Sequence, residues 1–393
     1  MTKWTLLKIS RDWKTRALAI LFFIFFASFS TFYRQQNVTF PAVEMSEEYQ
    51  DERQIYRLIP KNHFETELGQ EVQKALGSNS VSLGMNRYIL NRRQGNSVQG
   101  VDGLPDYIEN GQQIVQNNLF LYGAKEFESY DLLEEVYLPD LKKIREEERF
   151  YNALEKSDLD IEWNPYSASQ MIKVEFELLA GISLFFFLVL LSADQFTKDQ
   201  QKHWSISQGL PIPWKKQWRL RTGILWGIFW LSFLSGAMMS YFFSLLFETS
   251  GSFQYPTAIY YNNQINYLPL WQYLLITILL VLALSYLLTT IITALSWVLK
   301  NIYLTLLLGV SIFFLPQLWT FIQPLSSWQP SLYFNLIEVL DGQMALKTNM
   351  SGVVWWKALP AFILSAVLIE LIMSRVFSYI PSQTAGLQRR ETK

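Results

Sequence analysis

The chain is 393 residues long, half of them hydrophobic and 16% aromatic, with only 17% charged. Soluble domains carry about 25% charged residues, so the deficit makes a lipid bilayer part of the solvent. With no cysteine, disulfides and thiolate chemistry are excluded, and with only two histidines, His63 and His203, a zinc centre is disfavoured.

The N-terminal stretch KWTLLKISRDWKTR places Leu6, Ile9 and Trp13 on one helical face. It reads as an amphipathic helix over residues 1–16, lying on the inner membrane surface. An apolar run follows over 17–33, long enough to cross the hydrocarbon core. Its basic start also fits a secretory signal peptide, but no Ala-x-Ala site follows it, so it is taken as an uncleaved span.

Residues 34–172 have the composition of a soluble domain. Ile114, Leu119, Leu121, Phe127, Leu132, Leu133, Val136, Leu141, Ile144 and Phe150 recur at mixed steps that include three and four residues, the pattern of packed amphipathic helices. A Gly-rich stretch from Asn91 to Asp106 divides the helical halves. Acidic residues outnumber basic ones in this domain, 24 against 14. That excess is a solvated surface or an attractor for a cationic ligand such as a basic peptide.

A second span is expected over 173–193 and four more within 223–377, the fourth and fifth of the six divided only by Lys300 and Asn301. Lys and Arg cluster before the first span, in the loop 194–222 and in the tail 378–393, whereas the loops Glu248–Tyr267 and Gln323–Gly352 hold only Lys347. The positive-inside rule then puts both termini in the cytoplasm and residues 34–172 outside the plasma membrane. The expected fold class is therefore an all-α membrane protein with six transmembrane helices and a mainly helical extracytoplasmic domain.

Ionisable groups are scarce in the spans. Glu175, Glu177, Lys357 and Glu370 lie near span ends, where side chains of this length snorkel to the headgroups. This scarcity disfavours a proton- or sodium-coupled carrier and points to another energy source for any transport, yet the chain has no Gly-x-x-x-x-Gly-Lys-Ser/Thr phosphate loop of its own. Trp226, Phe229, Trp230 and Phe233 form an aromatic stripe on the third span. That stripe is read as helix packing, with a substrate path as the sharper alternative.

The loop after the second span is DQFTKDQQKHWSISQGLPIPWKKQWRLRTG. A polar, helix-capable piece is broken by Gly209, Pro211 and Pro213 before a basic, aromatic piece leads into the third span. This arrangement resembles the permease subunits of ABC-2 type ABC transporters, in which a short coupling helix and a Pro step occupy that loop. The N-terminal amphipathic stretch (Leu6, Ile9, Trp13) is similar to the family's elbow helix. PSLYFNLIEVLDGQ, residues 330–343, is similar to its re-entrant outer segment.

The resemblance implies a permease that binds no cofactor, carries no catalytic or metal site and pairs with a second copy or a paralogous permease in the lipid membrane. Separate ABC ATPase subunits would supply ATP and magnesium. Lys198, Lys202, His203, Trp204, Ile206, Pro211 and Pro213 would dock on that ATPase. Trp226, Phe229, Trp230, Phe233, Tyr333, Phe334 and Asn335 are the implied path residues. The implied activity is export of a peptide, an antimicrobial compound or a lipid. The large domain between the first two spans departs from the commonest family members and keeps a second reading open: an ATPase-coupled sensor or mechanotransmission protein that moves no cargo. A membrane enzyme is disfavoured, because the spans hold no Ser/His, paired Asp or zinc-type constellation.

Overall fold

The computed structural model describes residues 2–94, 103–157, 159, 161–197, 214–322 and 324–378. Among the described residues, five helices are long and apolar enough to cross a membrane: Ala168–Ser192, Lys215–Phe247, Leu270–Leu299, Ile302–Phe321 and Trp355–Phe377. A helix pair bent by 45°, Trp13–Ala27 with Phe29–Gln35, passes the same test when taken together. The chain is a mostly helical, multi-pass membrane protein.

Helix α1 (Thr2–Arg11) is shorter than the expected 1–16. Asp12 ends it: the carboxylate accepts from the amide (3.4 Å) and hydroxyl (3.0 Å) of Thr15 and so caps α2 (Trp13–Ala27). Trp13 consequently opens α2 and is 80% exposed, whereas Ile9 of α1 is buried in the bundle core. Leu6 is half exposed. The three residues therefore do not share one buried face. At Ser28 the hydroxyl donates back to the carbonyls of Ile24 (2.8 Å) and Phe25 (3.1 Å). Such back-bonding bends helices, and α3 (Phe29–Gln35) leaves at the angle given above.

The helical domain consists of α4 (Pro41–Leu58), α5 (Glu67–Gln94), α6 (Leu104–Gly123), α7 (Tyr130–Val136) and α8 (Leu141–Ser157). Pro41 and Pro105 sit in the first turns of α4 and α6, where a missing N–H costs nothing. Two apolar clusters hold these helices together. One joins Ile55, Leu76, Leu121 and Leu133, the other Leu90, Val115, Ile144 and Leu154. Gly111 lets α6 approach α8: a Cβ there would fall 2.2 Å from the Tyr151 ring.

The second apolar run is longer and less regular than its sequence suggests. α9 (Ala168–Leu178) and α10 (Leu184–Ser192) are separated by a π-helical turn at Leu179–Ser183, where Gly181 leaves helical geometry. Glu175 does not snorkel: it is fully buried. It faces α11 (Trp214–Phe247) near Ser240, whose hydroxyl donates to Met171 Sδ (3.4 Å) and accepts from the Ser30 amide (3.1 Å). Glu177 accepts instead from the Tyr273 hydroxyl (2.9 Å).

The loop after α11 is not irregular. β1 (Pro256–Tyr261) pairs antiparallel with β2 (Gln264–Pro269), and Asn262 and Asn263 both take positive φ in the turn. Two left-handed residues define a type I′ hairpin, so the all-α expectation gains one small sheet. The hairpin rests on α8, where Arg149 donates to the Ile265 carbonyl (2.7 Å) and the Gln264 side chain (2.5 Å). It leads into α12 (Leu270–Leu299). Lys300, left-handed, and Asn301, which caps α13 (Ile302–Ser311), then form the turn between two long apolar helices.

A 3-10 turn separates α13 from α14 (Leu315–Phe321), and Pro316 lies in the first turn of α14. Residues 330–347 form a 3-10 turn (Pro330–Tyr333), α15 (Leu336–Leu340) and α16 (Gln343–Lys347), burying Leu332, Leu336, Val339 and Leu340. α17 (Trp355–Ser378) completes the described chain and contains Pro360.

Helices α2 and α11 approach each other closely at Gly236. A Cβ on Gly236 would lie 2.8 Å from Phe26 Cβ and 2.9 Å from the Phe23 carbonyl oxygen. Helix pairs in membranes associate by such small-residue contacts, since lipid is as apolar as leucine. Replacing Gly236 with leucine should therefore push α2 off α11 and cost about 1–3 kcal/mol by overpacking. The thermal midpoint of the detergent-solubilised full chain should fall, and a midpoint equal to wild type contradicts this packing.

Candidate functional site

Two regions concentrate polar and aromatic side chains. The first lies where α10 ends and α11 begins. The proposed docking residues Lys198, Lys202, His203, Trp204, Ile206, Pro211 and Pro213 fall outside the described residues, but both flanks of that strip are described. Asp194, at the end of α10, pairs with Lys14 of α2 at 3.0 Å. Thr197 and the Phe196 amide meet the Ser296 hydroxyl of α12, at 3.1 and 3.4 Å.

On the exit side, Arg221 donates to the Gln195 carbonyl (2.8 Å) and sits 4.7 Å over the Phe196 ring. Arg219 pairs with Glu370 of α17 at 2.8 Å, and Tyr286 of α12 donates to the same carboxylate at 2.6 Å. Glu370 thus bridges three helices instead of snorkelling freely. Phe196, Trp218, Met373 and Phe377 are buried in one cluster, with Trp297 against them. Both flanks of the strip are accordingly packed on the same three helices, α11, α12 and α17.

The implied path residues lie within the bundle core. Phe229, Trp230, Phe233, Tyr333 and Phe334 are buried, and only Trp226 and Asn335 keep partial exposure. Trp226 and Trp230 both donate to Ser285 of α12, at 2.9 and 3.0 Å. Phe334 stacks on Phe362 and meets Phe185 in a tilted contact at 5.9 Å. None of the seven borders either of the two cavities described next.

One cavity, about 540 Å³, is an apolar groove between α2, α3 and α11, with Arg34 at its end. Arg34 is paired with Glu248 (2.9 Å) and lies 5.1 Å over the Phe247 ring. The other, about 490 Å³, lies where the helical domain meets the ends of α3 and α9. Its walls carry Tyr107, Phe150, Tyr151 and Tyr255, and four carboxylates line it: Glu44, Glu48, Glu147 and Glu162. Lys173 is the one cation among its described lining residues, and it pairs with Glu177 at 3.8 Å.

The electrostatics of this second cleft follow from that imbalance. Lys143 stands between Glu48 (3.7 Å) and Glu147 (3.9 Å), one exposed ammonium serving two carboxylates. Burial, and then the like charge of Glu48, push the Glu147 carboxyl up to about 7. Burial also raises Glu162, against hydrogen bonds from Ser167 and the Ser252 amide. The hydroxyls of Tyr107 and Tyr151 are hydrogen-bonded to each other, and burial holds both protonated, with Tyr107 at about 12. The acidic excess of this domain is legible in its sequence, but the convergence of its carboxylates is not. Glu44 and Glu48 share a face of α4 by their four-residue spacing, yet only tertiary packing brings α8 opposite them.

Compared with known proteins, the chain matches no family model, no curated protein and no solved structure.

Glu147 allows a test of the cleft's charge. Its folded value is raised above the ordinary carboxylate range, so its contribution to stability is present at pH 4 and lost as pH rises through about 7. Glu147→Gln should therefore raise the thermal midpoint at pH 8 and leave it nearly unchanged at pH 5. A variant less stable than wild type at pH 8 contradicts this environment.

Proposed function

We propose that this chain is the membrane subunit of an ATP-driven exporter of the ABC-2 type, coupled to a separate ATPase through residues 194–222. The observation that carries the proposal is the shared anchorage of the strip's flanks. A partner gripping residues 198–213 pulls on Phe196 and Trp218 together, and so on α11, α12 and α17 as a unit. Trp204 and Ile206 supply apolar anchoring area, with Lys198, Lys202 and His203 at the rim, the usual division of interface energy. In this reading the bent pair α2–α3 counts as the first of six spans. The strip and both termini then face the cytoplasm, and the helical domain lies outside the plasma membrane. A second copy or a paralogous permease completes the path, and ATP and magnesium act on the ATPase alone.

One observation favours a second reading. The aromatic residues expected along a path fill the core of a single chain. A protein that relays ATPase motion to the helical domain without moving cargo needs no open path.

Two experiments test the proposal. Trp204→Glu with Ile206→Glu should abolish co-purification of the ATPase subunit while leaving the amount of membrane-inserted chain unchanged; full recovery of the ATPase refutes docking through the strip. Tags in the loops 248–267 and 323–352 should both be reached by an impermeant reagent from outside intact cells. Protection of the second loop removes the six-span exporter and leaves the relay.

A further inference from the structure

The geometry points to a binding site for an amphipathic cation, an ammonium or guanidinium group carried beside an apolar one, in the cleft at the base of the helical domain. Naming that ligand as cargo rests on the exporter reading, but its binding does not.

Three features define the ligand class. The first is size: about 490 Å³ lies within the roughly 300–1,000 Å³ of clefts that enclose small ligands. Charge is the second. Four carboxylates face the space against Lys173, which Glu177 already engages. Glu48 and Glu147 share the exposed Lys143, which does not line the cleft, so a second cation between them relieves like-charge repulsion.

The walls are the third feature, independent of the acidic groups. Phe150 makes ring contacts with Tyr151 (5.4 Å), Tyr255 (6.3 Å) and Tyr267 (5.5 Å), and Tyr107 meets Tyr151 at 5.9 Å. These rings converge from α6, α8 and the hairpin. Aromatic faces attract a desolvated cation and accept an apolar neighbour equally well. An anion meets the wrong charge here, and a neutral polar ligand leaves the carboxylates unpaired.

The cleft also touches α3 and α9 through Tyr33, Gln170 and Val174. Its lower wall is thus formed by the ends of membrane-spanning segments, the depth at which an amphipathic ligand partitions. Protonation should gate affinity. Glu147 faces Glu48 of α4 and Lys143 and Glu146 of its own helix, while Tyr137, Tyr151 and Tyr267 stay neutral around it. Below about pH 7 Glu147 takes up a proton and the attraction weakens.

The test uses the purified full chain in nanodiscs of zwitterionic lipid, without any ATPase, so that failure of the exporter reading leaves it intact. Binding of a dansyl-labelled Leu-Arg amide is measured by fluorescence anisotropy, with the Leu-Gln and Leu-Glu analogues as controls and 4-phenylbutylamine as competitor. The Arg probe should bind at least tenfold more tightly than either analogue and weaken at least tenfold between pH 8 and pH 5.5. Glu48→Gln with Glu147→Gln should remove that preference, whereas Glu135→Gln, an exposed carboxylate outside the cleft, should keep it. Circular dichroism shows whether the double variant folds; if it does not, Glu44→Gln with Phe150→Leu takes its place. Displacement by the amine at comparable concentration assigns the site to amphipathic amines in general, and its failure to displace assigns it to basic peptides. Equal binding of all three dipeptides, no binding of the Arg probe, or an unaltered preference in the folded double variant overturns the proposal.

Discussion

The contact on which the rest of the structure turns is the buried aromatic cluster at one end of the bundle. Phe196 and Trp218, on either side of a polar strip, pack with Phe377 and Trp297. Each aromatic pair of this kind contributes about 0.5–1.5 kcal/mol beyond its area. Arg221 adds a hydrogen bond and a cation–π contact across the same junction. The described flanks of the strip, Phe196 and Trp218, are thereby packed together with α12 and α17.

From that junction α11 runs as one helix of 34 residues to the opposite end of the bundle. There the chain meets the helical domain through polar contacts. Glu248 bridges Arg34 and Asn164, and Glu162 accepts from the Ser252 amide. The amides of Ala168 and Ser169 donate to the carbonyls of Thr249 and Ser250. The acidic cleft sits directly on this joint, lined by Glu162 and Asn164 among others. In the proposed reading, motion of a partner bound to the strip would reach the cleft along α11 and this joint. The spread of that coupling through the bundle follows from close packing, which switches between discrete arrangements and does not deform continuously.

The sequence makes the apolar runs and the tight turn at Lys300-Asn301 legible, because length and hydropathy alone set them. It also exposes the acidic helical domain through its three- and four-residue periodicity. Other features depend on tertiary partners and stay hidden. Glu175 looks like a span-end residue until α11 covers it. Asp12 looks like part of one amphipathic helix, although Asp is also a preferred N-cap residue. The hairpin at 256–269 carries a readable sign in Asn262-Asn263 between β-branched and aromatic residues, a type I′ turn signature. The site was the least legible part, since its rings and carboxylates come from segments more than two hundred residues apart in the chain.

The central claim is that residues 198–213 hold an ATPase and transmit its motion. The most direct measurement places a photo-crosslinking benzoylphenylalanine at Trp204 in the full chain, in its native membrane, and identifies what it captures. The account predicts a nucleotide-binding subunit, with capture changing when ATP is added or removed. Capture of lipid or of this chain alone contradicts it.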